Sequence, residues 1–255
     1  MKKDKLVNKI MEEESRYYFI HYSCQSLNDT NTELSPRVTS IVLLHLSTKQ
    51  MITFSTHDIA EELKIPKDKI VEKFDIIETK LLTRFFSFVE TQAKDSSWIH
   101  WNMKNSVFGF EHLEHRYRVL TQKEPYKIDI EKRYNLSSMI AHKYGSNYAD
   151  NPKMLSLMQL NGGRHRDFLT GEEEVTAFKA GNYVKMLKST MCKVNFFSIV
   201  LKKMQKNKLC TKNKSFRYKV NQFCQNPFVQ LIGFISVLVT IITGIIAFVK
   251  AILCN

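Results

Sequence analysis

Residues 231–249 (LIGFISVLVTIITGIIAFV) run for nineteen positions without a charge, and no other feature constrains this chain's fold as sharply. As a helix the run is about 28 Å long, close to the ~30 Å hydrocarbon core of a bilayer. Phe228, Val229 and residues 251–253 extend it. No polar face interrupts it, so the expectation is one transmembrane helix over 228–253 rather than a core helix. Lys202, Lys203, Lys206, Lys208, Lys212, Lys214, Arg217 and Lys219 precede the run, and only Lys250 follows it. The positive-inside rule then places residues 1–227 in the cytoplasm. The charged start of the chain has no apolar h-region, so no signal peptide is expected. The expectation is a single-pass, tail-anchored protein of the cell inner membrane.

Charge divides the chain further. Glu174 is the last acidic residue; residues 175–255 hold thirteen Lys and Arg and no Asp or Glu, and the whole chain carries a formal charge of +13. The eight basic residues from Lys202 to Lys219 fit anionic lipid headgroups at about 1 kcal/mol each. With Phe216 and Tyr218 among them they also fit nucleic-acid backbone. Their place beside the apolar run favours lipid, and the two are not exclusive. Ser236, Thr240 and Gly244 recur every four residues, which puts small side chains on one helical face and suggests span association into a homo-oligomer.

The first two hundred residues read as one α/β domain. Gly (8) and Pro (5) are scarce, which argues against a turn-rich sandwich. The pattern predicts a short charged helix over 5–15 and strands over 17–22, 38–46 and 51–55, the last two as a hairpin. Helices are expected over 59–63, with Thr56 or Asp58 as cap, then from about 70 to 90, and over 109–120, 131–143, 153–160 and 182–205. A short strand is expected at 98–102. Thr170 to Glu173 reads as a capping box. The domains are therefore a cytosolic α/β domain over 1–205, a basic juxtamembrane linker over 206–227 and the span over 228–253. The five cysteines form no C-x-x-C pair and no zinc spacing. Free thiols are expected, with Cys24 and Cys192 packed as small apolar residues.

Residues 98–116 (WIHWNMKNSVFGFEHLEHR) concentrate polar chemistry. His112, His115 and Arg116 stand at i, i+3 and i+4, so a helix would share them on one face. His100 and Asn102 alternate on a strand. A metal-independent ribonuclease would use His100, His112, His115 and Arg116 as acid, base and phosphate clamp. A solvated helix face is the plainer reading. His100, Asn102, Arg116, Arg164 and Arg166 are the candidates for nucleic-acid or partner contact, the last two on a basic loop. Arg133 and His142 are nine apart and form no ribonuclease motif. No phosphate-binding glycine loop, Rossmann fingerprint or Ser-His-Asp order is present, and no cofactor or metal is expected.

The order of elements resembles the RNase H-like domain of DEDD-type 3′–5′ exonucleases over about residues 15–205. In that family a first strand is followed by two antiparallel strands, a helix, and a strand with a His-Asn-like step. Residues 17–22, 38–46, 51–55, 70–90 and 99–102 fall in that order, and Phe108, Phe110, Leu113 and Arg116 are similar to the entry of the following helix. The resemblance implies two divalent metals on four carboxylates, two of them from the first strand. That strand reads FIHYSCQ over 19–25, the corner from His100 to Phe110 has no acid, and the last helix has none. Imidazole and amide are poor ligands for a hard cation. The expectation is a non-catalytic domain of degenerate exonuclease-like fold. The composition, rich in Lys, Asn and Ile, and the domain-plus-span layout are similar to tail-anchored effectors of bacterial anti-phage systems, such as those beside retron reverse transcriptases. That likeness implies an abortive-infection effector whose cytosolic domain senses a nucleic acid or a nucleoprotein partner and whose span perturbs the membrane. A tethered nuclease and a passive adaptor are the alternatives.

Overall fold

The computed structural model describes residues 5–25, 35–103, 108–214, 223, 234–237 and 239–246. Its strands are β1 (Tyr17–Cys24), β2 (Val38–His45), β3 (Met51–Ser55), β4 (Ser97–His100) and β5 (Arg133–Asn135). They form one sheet in the order β3-β2-β1-β4-β5. β1 is antiparallel to β2 and parallel to β4, β2 is antiparallel to β3, and β4 is parallel to β5. A strand paired on both edges and covered on both faces should be apolar throughout. β1 meets this with seven of its eight residues buried, the polar His21 and Ser23 among them.

The helices are α1 (Lys5–Glu12), α2 (Thr56–Glu62), α3 (Phe74–Gln92), α4 (Phe110–Thr121), α5 (Leu136–Tyr144), α6 (Lys153–Leu160), α7 (Gly171–Lys179) and α8 (Tyr183–Gln205). They form two layers on the sheet. On one side, α3 and α4 pack Phe74, Leu81, Phe85 and Phe110 against Ile20, Leu43 and Trp98. On the other, α8 packs Val194, Phe197, Val200 and Leu201 against Phe19, Val42 and Ile99, with α1, α5 and α6 around it. The period-2 alternation of β1 therefore sends Ile20 and Tyr22 to one core and Tyr17 and Phe19 to the other. The helix-start signal acts where expected at α7, whose Thr170 and Glu173 form a complete capping box. At α2 the cap is Ser55, whose hydroxyl accepts the Asp58 amide, and not Thr56 or Asp58.

Two expectations need correction. Residues 131–143 were expected as one helix. Arg133–Asn135 pairs instead with Trp98–His100, and Asn135 then caps α5 by accepting the Ser138 amide. The larger correction concerns the C-terminus. Among the described residues no helix is long and apolar enough to cross a membrane. Residues 234–237 and 239–246 are helical. The longest described helix, α8, is interrupted by lysines at 185, 188, 193, 202 and 203. The fold class is thus mixed α/β, and among the described residues the expected transmembrane helix is absent. The tail-anchored, single-pass and inner-membrane expectations fall with it. The rest of 228–253 lies outside the described residues, as do Arg217 and Lys219.

Several of the lysines expected to face lipid serve the domain instead. Lys203 donates to the Asn161 carbonyl at 3.0 Å, Lys212 pairs with Asp150, and Lys214 donates to the Asn207 carbonyl at 3.1 Å. Leu209 and Thr211 are buried beside them. Lys202, Lys206 and Lys208 are exposed. Ser236, Thr240 and Gly244 lie on the helical residues near the C-terminus, where the Thr240 hydroxyl donates to the Ser236 carbonyl at 2.9 Å.

Candidate functional site

In an open α/β sheet, ligands gather at the carboxyl ends of parallel strands. Here those ends belong to β1, β4 and β5. His21 and Ser23 stand two apart on β1 and so face the same side of the sheet, toward α8. The His21 ring lies edge-on to Phe108 at 5.7 Å and to Phe197 at 5.6 Å. Burial holds the His21 imidazole well below its ordinary value, and Lys193 and His100 push in the same direction. It is a neutral ring. Lys193 comes from α8, is itself buried, and donates to Glu174 at 2.6 Å. The Ser189 hydroxyl donates to the same carboxylate oxygen at 3.2 Å and accepts the Leu169 amide at 3.1 Å. Ser40 and Thr190 hydrogen-bond at 3.2 Å. The carboxyl end of β1 is thus a buried polar layer with one ammonium and one carboxylate, in which, among the described residues, His21 Nδ1 and Ser23 Oγ have no hydrogen-bond partner.

His100 ends β4. Its Nδ1 accepts the Met103 amide at 3.0 Å, which assigns the ring proton to Nε2. Asn102 follows with φ 52°, a conformation asparagine tolerates, and its side-chain oxygen accepts from Asn135 at 3.2 Å. That contact ties the ends of β4 and β5.

The remaining residues of the 98–116 cluster do other work. The Gly109 amide donates to the Tyr22 hydroxyl at 3.0 Å, Tyr22 donates to His112 Nδ1 at 3.0 Å, and His112 Nε2–H donates to the Pro36 carbonyl at 2.8 Å. His112 is fully buried, and burial brings its imidazole down to about 4. Arg116 grips Glu78 of α3 through Nε at 2.9 Å and Nη2 at 2.6 Å. Glu78 also accepts the Val38 amide at 2.9 Å, and Arg116 reaches Ser35 at 3.3 Å. Burial pushes the Glu78 carboxyl upward against these partners. Together α3 and α4 latch residues 35–38 at the start of β2. His112 and Arg116, two of the four residues expected for a metal-independent nuclease, are thus buried and engaged inside the domain. His115 is exposed and joins neither network. Arg164 pairs with Glu173, at 2.5 Å, and bonds the Phe168 carbonyl at 2.9 Å. Arg166 is the open one, with its side chain 90% exposed.

Sequence reasoning overlooked His21, Ser23, Lys193, Glu174 and Glu78. The available signal was their position. Two polar residues at i and i+2 in an apolar central strand, and a lysine beside the apolar stripe of the last helix, are costly to bury without partners; Lys193 finds one in Glu174, whereas among the described residues His21 Nδ1 and Ser23 Oγ have none. Among the described residues, no group of three or more His, Cys, Asp and Glu side chains is arranged to hold a metal ion. Cys24, Cys192 and Cys210 are free thiols, and burial raises Cys24 and brings Cys192 up to about 11. No protein-family model, curated protein or solved structure matches the chain.

Proposed function

We propose that the chain is a non-catalytic binding domain on an RNase H-like sheet, which engages a macromolecular partner and does not hydrolyse nucleic acid. The sheet order β3-β2-β1-β4-β5, with a hairpin on one side of β1 and parallel strands on the other, supports the RNase H-like reading. One observation carries the rest. Where two-metal hydrolysis requires carboxylates from the first strand, β1 presents a neutral imidazole and a hydroxyl. The His21 ring lies edge-on to Phe108 and Phe197, with a buried ammonium nearby. Such a donor set repels a hard dication more than it binds one. The carboxylate in this layer, Glu174, is already paired with Lys193.

The test is direct. The full chain, with Mg²⁺ or Mn²⁺, is incubated with end-labelled single-stranded and duplex RNA and DNA. No cleavage above a buffer control is expected. Cleavage that falls when His115 is changed to Ala would contradict the proposal and restore the nuclease alternative. His115 suits this purpose because it is exposed, and its loss leaves the latch at residues 35–38 intact.

A further inference from the structure

The outer side of α8 is not used by the sheet cluster. Its solvent-facing residues include Lys185, Lys188, Asn195, Ile199 and Lys202. Two cavities flank this side. One, of about 670 Å³, lies between α2 and the first turns of α8, with Ile65, Ile70 and Val184 in its wall. The other, of about 390 Å³, lies between residues 161–167 and the middle of α8, floored by Met158, Met191, Phe196 and Ile199. Asp167 and Lys188 line both, so the two adjoin as one groove. Along α8 from Tyr183 to Ile199 it runs about 24 Å, the length of a helix of about sixteen residues. Val184 and Ile199 open to solvent, 39% and 48% exposed, while Met158 and Phe196 are buried in the same lining.

The rim is basic. Lys67, Lys185, Lys188, His165 and Arg166 line it. The acids that share the lining have basic neighbours. Glu61 meets His57 at 3.3 Å, and Asp167 meets both His165 and Arg166 at 3.7 Å. α8 itself contributes no acid, because none exists after Glu174.

We infer that this groove docks an amphipathic helix of a protein partner, its apolar stripe on the floor and its acidic residues along the margins. The inference rests on reading the chain as a binding domain and names the chemistry of what it binds. A helix in a groove needs apolar anchors at i, i+3, i+4 and i+7 and a matching apolar floor. Opposite charge on the rim selects and steers the partner. A nucleic-acid strand needs the reverse: a charged track for phosphates and exposed aromatic platforms for bases. The aromatic rings in the lining, Phe196 and Tyr183, are both buried.

Two fluorescent helical peptides of about sixteen residues test this. Both carry a Leu/Ile stripe, one with Glu along its margins and the other with Lys. Anisotropy is read with the full chain at about 0.15 M salt. The Glu-edged peptide should bind at least about tenfold more tightly than the Lys-edged one. Arg166→Glu with Lys188→Glu should weaken it by about tenfold or more and strengthen the Lys-edged peptide. Ile199→Glu should weaken both. All three sites are at the surface, and circular dichroism verifies that the variants fold. Equal binding of the two peptides, or no response to the charge reversals, overturns the inference. So does a single-stranded oligonucleotide that binds in place of the peptide and responds to the same reversals; the partner would then be a nucleic acid. The cleavage assay on the same samples separates the two readings. Cleavage with peptide binding intact overturns the non-catalytic reading alone. No cleavage and no peptide binding overturns the groove alone.

Discussion

Arg116 and Glu78 carry the largest residue-scale consequence. The pair is buried, with side-chain exposures of 7% and 0%. Removing one partner of such a pair strands the other charge, at a cost of about 3–5 kcal/mol. Arg116→Met should therefore lower stability by about that much in urea unfolding, and Arg116→Met with Glu78→Leu should recover much of the loss. A single variant no less stable than the double one would contradict this account. His112 gives a pH signature. Its imidazole is about 4 when folded, against an ordinary 6.5, and His21 is shifted in the same direction. Between those values the unfolded chain takes the proton and the folded chain does not. Stability is then full above about pH 6.5 and is lost as pH falls toward 4, by up to about 3 kcal/mol for His112. Glu78 and Glu114, raised by burial, oppose this in part. The urea midpoint should fall between about pH 7 and pH 5, and His112→Phe should flatten that slope. An unchanged slope would mean that His112 is not the titrating group. These roles were not legible from spacing alone. Consecutive helical residues stand about 100° apart, so His115 and Arg116 point apart although both neighbour His112. The latch also joins residues far apart in sequence: Arg116 and Glu78 are 38 apart and His112 and Pro36 are 76 apart.

At the scale of elements, most of the chain was readable. The stripe Phe74, Ile77, Leu81, Leu82, Phe85 and Phe86 fixes α3 by its period, and Glu78 lies inside the same buried face. The capping box at Thr170 was legible because both reciprocal partners sit at fixed offsets. Thr170→Ala should cost about 1 kcal/mol of stability, measured by chemical unfolding, and should lower protection of the first α7 amides in hydrogen exchange. An unchanged stability would show that the Arg164–Glu173 pair anchors α7 without its cap. β5 was not legible. Three residues are too short for a period, and its pairing with Trp98–His100 is set by the sheet and not by its own composition.

For the whole molecule, the α/β class and one sheet with helices on it followed from element order. The expected span did not hold. Among the described residues no helix is long and apolar enough to cross a membrane, which a hydropathy run alone does not decide. The Lys-rich stretch before the run misled in the same way. Lys203, Lys212 and Lys214 close the domain through Asn161, Asp150 and Asn207, partners that a charge count cannot reveal. The lack of carboxylates on β1 was legible in the sequence, whereas the burial of His21 and Ser23 there needed the fold. Lys193 and Glu174 are nineteen residues apart and meet because α7 and α8 pack together.

The carboxyl end of β1 is a buried polar layer that, on the proposed function, takes up no dication. The measurement that tests it most directly is a titration of the ¹⁵N-labelled full chain with Mn²⁺, followed by the imidazole signals of His21 and His100. The account predicts that both stay sharp beside the exposed His115 as an internal reference, and that His21 remains neutral at about pH 6. Selective broadening of His21 and His100 at substoichiometric Mn²⁺ would contradict it and place a dication where the claim puts none.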